Sequence, residues 1–302
     1  MAITRGSERD LLLPGLAEVE MAYPEIPRQW PAIFSRGQSK MALERAVEMR
    51  PTGLAQLKSE GGATVFDNAP GERFVYNIEM IAIGLGFAIT REALDDNLYK
   101  DVFNPQSMGL AESFGQTWEI LHANVLNNGT TFNPSVGGDG QPLFSTAHPI
   151  DTGTYANRPS PDADLNEAAL ENAFITIRGF PDQAGIIKFF RGKKLVVPKY
   201  LEFVAERLTK TELRVNTANN DVNAFMSAGA LPDGYQVMDF LTSQFAWFLT
   251  TSCDGMRHYD RVPYEMDLQV DPITGNLLVI GYERAGFAWV NPRTMYFSYP
   301  TA

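Results

Sequence analysis

An α+β fold follows from three features of this sequence. Residues 104–129 carry the longest uninterrupted helical pattern, residues 41–50 and 72–83 alternate with a period of two, and residues 264–299 hold several β-branched and aromatic runs parted by turn signals. In the helix, Asn104 suits the cap and Pro105 the first helical position, where a missing N–H costs nothing. Leu110, Phe114, Trp118, Leu121 and Val125 fall on one face, and Asn127, Asn128 and Gly129 supply the stop. About 24 residues at about 1.5 Å each give a rod roughly 35 Å long. Gln116, Glu119 and Asn124 lie off the stripe and are expected on a wet side.

Composition narrows the class. The 302 residues are 44% hydrophobic and 20% charged, as suits a folded protein of one large or two medium domains. A formal net charge of −11 repels nucleic acid and anionic membranes, which argues against a basic nucleic-acid binder. Cys253 is the only cysteine, so no intrachain disulfide and no four-cysteine zinc site exist. No apolar run reaches the roughly 20 residues of a membrane helix. The opening MAITRGSERD is charged from Arg5 onward, and no signal peptide is expected there.

Residues 1–40 resist forming a core of their own. Pro14, Pro24, Pro27 and Pro31 limit helices to short pieces over Glu8–Leu13 or Leu16–Met21. Tyr23, Ile26, Trp30, Ile33 and Phe34 nevertheless need cover, which an extended arm finds on its own domain or on a neighbour. Next come two strands. Arg45, Val47 and Met49 share one side of the first; Phe74, Tyr76, Ile78 and Met80 share one side of the second, opposite Arg73, Asn77 and Glu79. Pro51–Gly71 joins them with four glycines and mixed charge, so a projecting hairpin with a long connector is predicted. Arg45, Arg50, Lys58, Glu60, Asp67 and Arg73 on it, with Trp30 on the arm, are the candidate contacts to another subunit. Gly84 and Gly86 are expected to end the second strand, and a short helix, Arg91–Lys100, to precede the long one.

After a loop comes Leu143-Phe144-Ser145-x-x-His148-Pro149, then Asn157 and a helix that Asp164 and Glu167 open in capping-box spacing. Leu170, Phe174 and Ile177 make its inner face. Ile186–Phe190 and Leu195–Val197 read as strands, and Pro198 opens a helix with Leu201, Val204, Ala205 and Leu208 inward. Tyr264–Val270 and Asn276–Tyr282 read as strands about an Asp271–Gly275 turn, with further strands at Phe287–Val290 and Thr294–Tyr299.

Leu143-Phe144-Ser145-x-x-His148-Pro149, the later Asn157, Leu195-Val196-Val197-Pro198 with its helix, Val237-Met238-Asp239-Phe240-Leu241 and Ala246-Trp247-Phe248-Leu249 together resemble the Mu-type major head proteins of tailed bacteriophages. The resemblance implies the Hong Kong-97-type capsid fold. It maps an N-terminal arm to 1–40, an extended E-loop to 41–84 and a peripheral (P) domain to 85–165, with its spine helix at 105–127. An axial (A) domain falls at 166–262, and C-terminal strands at 263–302 complete the P-domain. By this resemblance the A-domain loops Asn216–Ala230 and Ser252–Tyr259 line the centre of each capsomer. It further implies a major capsid protein that assembles with itself into pentamers and hexamers of an icosahedral head around double-stranded DNA. Portal, scaffold or decoration proteins are implied partners, the virion is the location, and assembly occurs in the bacterial cytoplasm. Some shells of this fold cross-link an E-loop lysine to a neighbour's asparagine; Lys58 is in a suitable place but is read here as solvated or salt-bridging. An encapsulin-like cargo compartment and a soluble α+β enzyme are the alternatives.

The enzyme reading finds no support in motifs. G-x-S-x-G, G-x-x-x-x-G-K-[ST], H-E-x-x-H and G-x-G-x-x-G are absent. Ser145 and His148 are too local to form a nucleophile–base pair by themselves, and His122, beside the helix stripe, reads as packed or solvated. His258 is expected to bond Asp254 or Asp260 without a metal, and Cys253 to be a small packed residue. No catalytic, cofactor-binding or metal-ligating residue is assigned.

Overall fold

The computed structural model describes residues 19, 23, 26–67, 71–95, 100–136, 138–212 and 222–300. The strands, in chain order, are β1 (Ser35–Gln38), β2 (Leu43–Arg50), β3 (Gly71–Glu79), β4 (Ile81–Ile89), β5 (His148–Ile150), β6 (Gly153–Tyr155), β7 (Gly192–Pro198), β8 (Tyr235–Met238), β9 (Trp247–Thr251), β10 (Met256–Val270), β11 (Leu277–Trp289) and β12 (Met295–Ser298). The helices are α1 (Arg91–Asp95), α2 (Lys100–Asn127), α3 (Glu167–Arg178), α4 (Glu202–Lys210) and α5 (Ala224–Ser227).

Two four-stranded sheets carry the body. The first has the order β1-β10-β11-β4, with β1 parallel to β10 and the other pairs antiparallel. The second has the order β12-β9-β7-β8, with only β7 and β8 parallel. Helix α2 lies on the first sheet. Leu110, Phe114 and Trp118 are buried, and Phe114 presses so closely on β11 that a Cβ at Gly281 would meet its ring at 2.9 Å. Helices α3 and α4 cover the second sheet through Leu170, Ile177 and Ala205, which pack with Leu195, Val197 and Leu249. A third cluster, from Trp118 and Leu126 through Phe144 to Phe248 and Phe297, joins the two sheets into one core.

The predicted long helix is present but begins at Lys100, so Pro105 lies inside it, where its missing N–H forfeits one helical bond. Glu119 is not on the wet side; it is buried because the N-terminal segment covers it. Gly84 and Gly86 do not end a strand. Both lie within β4, and Gly86 is the residue that fits, because a Cβ there would sit 2.6 Å from the Val279 carbonyl oxygen. Asn166, not Asp164, caps α3, its side chain accepting from the Ala169 N–H at 2.8 Å. Residues Ile186–Phe190 form a loop with one bridge, between Pro181 and Ile187. Pro198 closes β7 and is followed by a 3-10 turn before α4. Strand β10 starts at Met256, ahead of the expected Tyr264, and carries residues 256–259 into the first sheet rather than into a loop. The expected helical pieces Glu8–Leu13 and Leu16–Met21 lie outside the described residues apart from Val19, which is buried; so do residues 216–221 of the loop expected over Asn216–Ala230.

Candidate assembly surface

Strands β2 and β3 pair antiparallel as the predicted hairpin, with Ala46 opposite Tyr76 and Val47 opposite Val75. Alternation gives the ribbon two faces. The inner face, with Tyr76 and Ile78 buried, lies on the body. The outer face leaves Leu43, Val47, Met49 and Val75 exposed, and Met41 extends it. Beyond the strands the connector has no regular structure over 51–59 or 62–67. It exposes Leu54, Leu57, Val65 and Phe66, with Leu57 as open as in an extended chain at 105%. Contiguous exposed apolar surface of this kind is what interaction sites present.

The connector end of the hairpin strands is held by charge. Arg293 Nη1 lies 2.6 Å from Glu48 Oε1 and its Nε donates to the Pro181 carbonyl at 2.5 Å. Its guanidinium stands 4.6 Å from the Tyr155 ring. Asp151, between β5 and β6, receives an arginine from each strand: Arg50 through Nε, and Arg73 through Nη1 at 3.0 Å. Asp67 lies 4.0 Å from Arg50 and accepts the Gly53 N–H at 2.6 Å.

Of the predicted contact residues, the structure gathers Arg50, Arg73 and Asp67 about this end. Arg45, Lys58 and Glu60 stay exposed along the hairpin. Trp30 is corrected. It is 1% exposed and stacks on His122 at 4.4 Å within its own chain, so it offers no surface to a neighbour. Residues 26–38 fold back on their own body for local reasons. Glu119 accepts the N–H of Gln29 at 2.5 Å and that of Trp30 at 3.2 Å, and Tyr23 donates to Glu283 at 2.6 Å. Burial first of all pushes both carboxyls above their ordinary range, with these bonds acting against it. Reading the sequence missed Asp151 and the apolar outer face as a unit. The face was within reach, because Leu43, Val47 and Met49 alternate in phase; Asp151 carried no signal.

The chemistry-bearing residues serve structure. Asn157, fully buried, donates to the carbonyls of Leu143 at 2.7 Å and Pro292 at 2.9 Å and accepts the Ser145 N–H at 2.9 Å. His148 Nδ1 lies 2.7 Å from Asp139, and Ser145 Oγ donates to Gln141 at 3.3 Å, so the two do not act as a pair. Burial pushes the Cys253 thiol up to about 11, away from the reactive thiolate. Among the described residues no group of three or more His, Cys, Asp or Glu is arranged to hold a metal.

The family model described as "Phage capsid protein" matches residues 78–297. This chain belongs to that family. It is a phage capsid protein, a structural subunit of a shell. No curated protein sequence matches it. Solved structures show the same fold, the Hong Kong-97 type. The procapsid of bacteriophage JBD30 is 13% identical with a TM-score of 0.53, covering 98% of this chain and 76% of that one. The capsid of an empty GTA particle is 11% identical with a TM-score of 0.55, covering 91% and 92%. A chain of Microbacterium phage Oxtober96 is 11% identical with a TM-score of 0.53, covering 91% of each. In this capsid protein the fold lies mostly within the matched span, while β2 and most of β3 precede it.

Proposed function

We propose that the β2–β3 hairpin with its connector is the extended loop by which one capsid subunit lies across the next. The observation that carries this is the outer face of Leu43, Val47, Met49 and Val75, continued by Leu54, Leu57, Val65 and Phe66, which the subunit does not cover. Burial of each such side chain is worth about 1.5–3 kcal/mol, and repetition around a closed shell multiplies modest contacts into a rigid container. The first sheet with α2 is the peripheral domain and α2 its spine; the second sheet with α3 and α4 is the axial domain. Strand β12, by its pairing with β9, goes with the axial sheet rather than with the peripheral strands. Pentamers and hexamers form about the axial domains, and the shell encloses double-stranded DNA without reading its sequence. A net charge of −11 keeps such DNA from adhering to the wall. Portal, scaffold and decoration proteins are further partners on this reading.

Cross-linking tests it. Leu57→Cys places a reactive thiol on the connector, while Cys253 is partly covered and its thiol pushed up. Shells assembled from mixed light- and heavy-isotope subunits should give mixed-isotope cross-linked peptides from residue 57. Peptides joined only within one subunit would overturn the proposal.

A further inference from the structure

His122 on α2 and His258 on β10 meet in the core, both almost fully buried. His122 Nε2 lies 3.0 Å from His258 Nδ1. The far nitrogen of each ring is engaged too: His122 Nδ1 lies 2.6 Å from the Trp118 carbonyl oxygen, and His258 Nε2 lies 3.0 Å from Asp260 Oδ1. A carbonyl only accepts, so His122 Nδ1 carries a proton. Each of the other two contacts needs one proton between its heavy atoms. Three hydrogen bonds therefore require three protons, while two neutral imidazoles bring two.

The third proton has three possible seats. His122 is the poorest, because burial above all holds it down at about 3 and no carboxylate meets its ring nitrogens, only the Trp118 carbonyl and His258. Burial pushes the Asp260 carboxyl up, but the bonds from His258 and Arg36 prevail and keep it below its ordinary range. His258 remains.

We infer that His258 is a buried imidazolium, and that its proton locks the N-terminal segment onto α2 and β10. Trp30 is the part of that segment which feels it. Its indole lies on both rings, 4.4 Å from His122 at 9° and 4.2 Å from His258 at 32°. An aromatic face so placed attracts a cation. Arg36, from β1, takes the other oxygen of Asp260 at 2.5 Å, so the same carboxylate holds the lock and the edge strand. Among the described residues, Arg28 from the segment, Glu283 from β11 and Tyr23 also act on this cluster. Loss of the proton breaks one of the two bonds that His258 makes: either its bare Nδ1 faces the bare Nε2 of His122 at 3.0 Å, or its bare Nε2 faces the Asp260 carboxylate at 3.0 Å.

The test is solid-state magnetic resonance on assembled full-length protein carrying isotope-labelled histidine. The chain has three histidines, so few ring-nitrogen signals arise. At neutral pH one ring should show both nitrogens protonated and correlate through an N–H···N bond with a second ring that has one bare nitrogen. Two neutral rings joined by that bond would overturn the proposal. In Asp260→Asn the side-chain amide can donate to Nε2, the third proton is not needed, and both rings should become neutral. Hydrogen exchange tests the lock. Amides of 29–38 in native protein should open more readily at alkaline pH by roughly tenfold beyond intrinsic base catalysis, the scale of a cation–aromatic contact. The variant should lack that excess. No excess in the native protein, or the same excess in the variant, would refute the lock. Should the variant not fold, the native spectrum and native exchange decide the matter alone.

Discussion

Arg293 and Glu48 form an ion pair at 2.6 Å across 245 residues of chain, with side chains only 2% and 10% exposed. It ties the turn before β12 to the connector end of the hairpin strands. A buried guanidinium cannot shed its proton, so its carboxylate is needed. Glu48→Ala should therefore destabilise the subunit by about 3–5 kcal/mol in chemical denaturation. Glu48→Leu combined with Arg293→Met should recover much of the loss, because an apolar pair leaves no uncompensated charge. Equal losses from single and double variants would contradict this account of the pair.

The two glycines of β4 make an internally controlled comparison. A Cβ at Gly86 meets the Val279 carbonyl oxygen at 2.6 Å, whereas one at Gly84 comes no nearer than 3.7 Å to the Gly281 carbonyl oxygen. Gly86→Ala should cost about 1–3 kcal/mol, as overpacking does, and Gly84→Ala should stay within about 0.5 kcal/mol. Thermal unfolding of the two variants measures the difference.

These glycines also show what the sequence conceals. A glycine pair in an apolar run reads as a break, yet here it marks backbone passing close to backbone, which only tertiary structure reveals. The α2 stripe and the two faces of the hairpin were legible because period 3.6 and period two each repeat over many residues. Strand β1, Ser-Arg-Gly-Gln, has no such repeat and exists because β10 offers it a parallel edge. Glu119 looked like a solvated helix residue because the two N–H groups it serves lie some 90 positions away in sequence. Asp151 was invisible for the same reason, since its two arginines arrive from different strands.

Asp151 yields a milder expectation. Its partners are partly exposed, so each pair is worth about 1 kcal/mol or less and weakens with salt. Asp151→Asn should leave global unfolding nearly unchanged while amides of β2 and β3 exchange faster. A large fall in global stability would show that the clamp supports the body rather than the hairpin alone.

Two carboxyls give opposite pH responses. Burial raises Glu283 above its ordinary 4.5, so the folded state holds that proton more tightly. Its contribution is full below 4.5 and declines as pH rises through the raised folded value. Asp260, despite burial, is held below its ordinary 3.8 by His258 and Arg36. Its contribution is present above 3.8 and lost as pH falls through the lowered value. Glu283→Gln should flatten the decline on the neutral side, and Asp260→Asn the loss on the acid side, in denaturation midpoints followed across pH. Unchanged profiles would contradict these assignments.

The most direct test of the central claim is electron microscopy of protein carrying Val47→Asp and Met49→Asp on the exposed face of β2. The account predicts folded subunits, with native circular dichroism, that fail to close into shells. Shells of normal yield and size from that variant would contradict it.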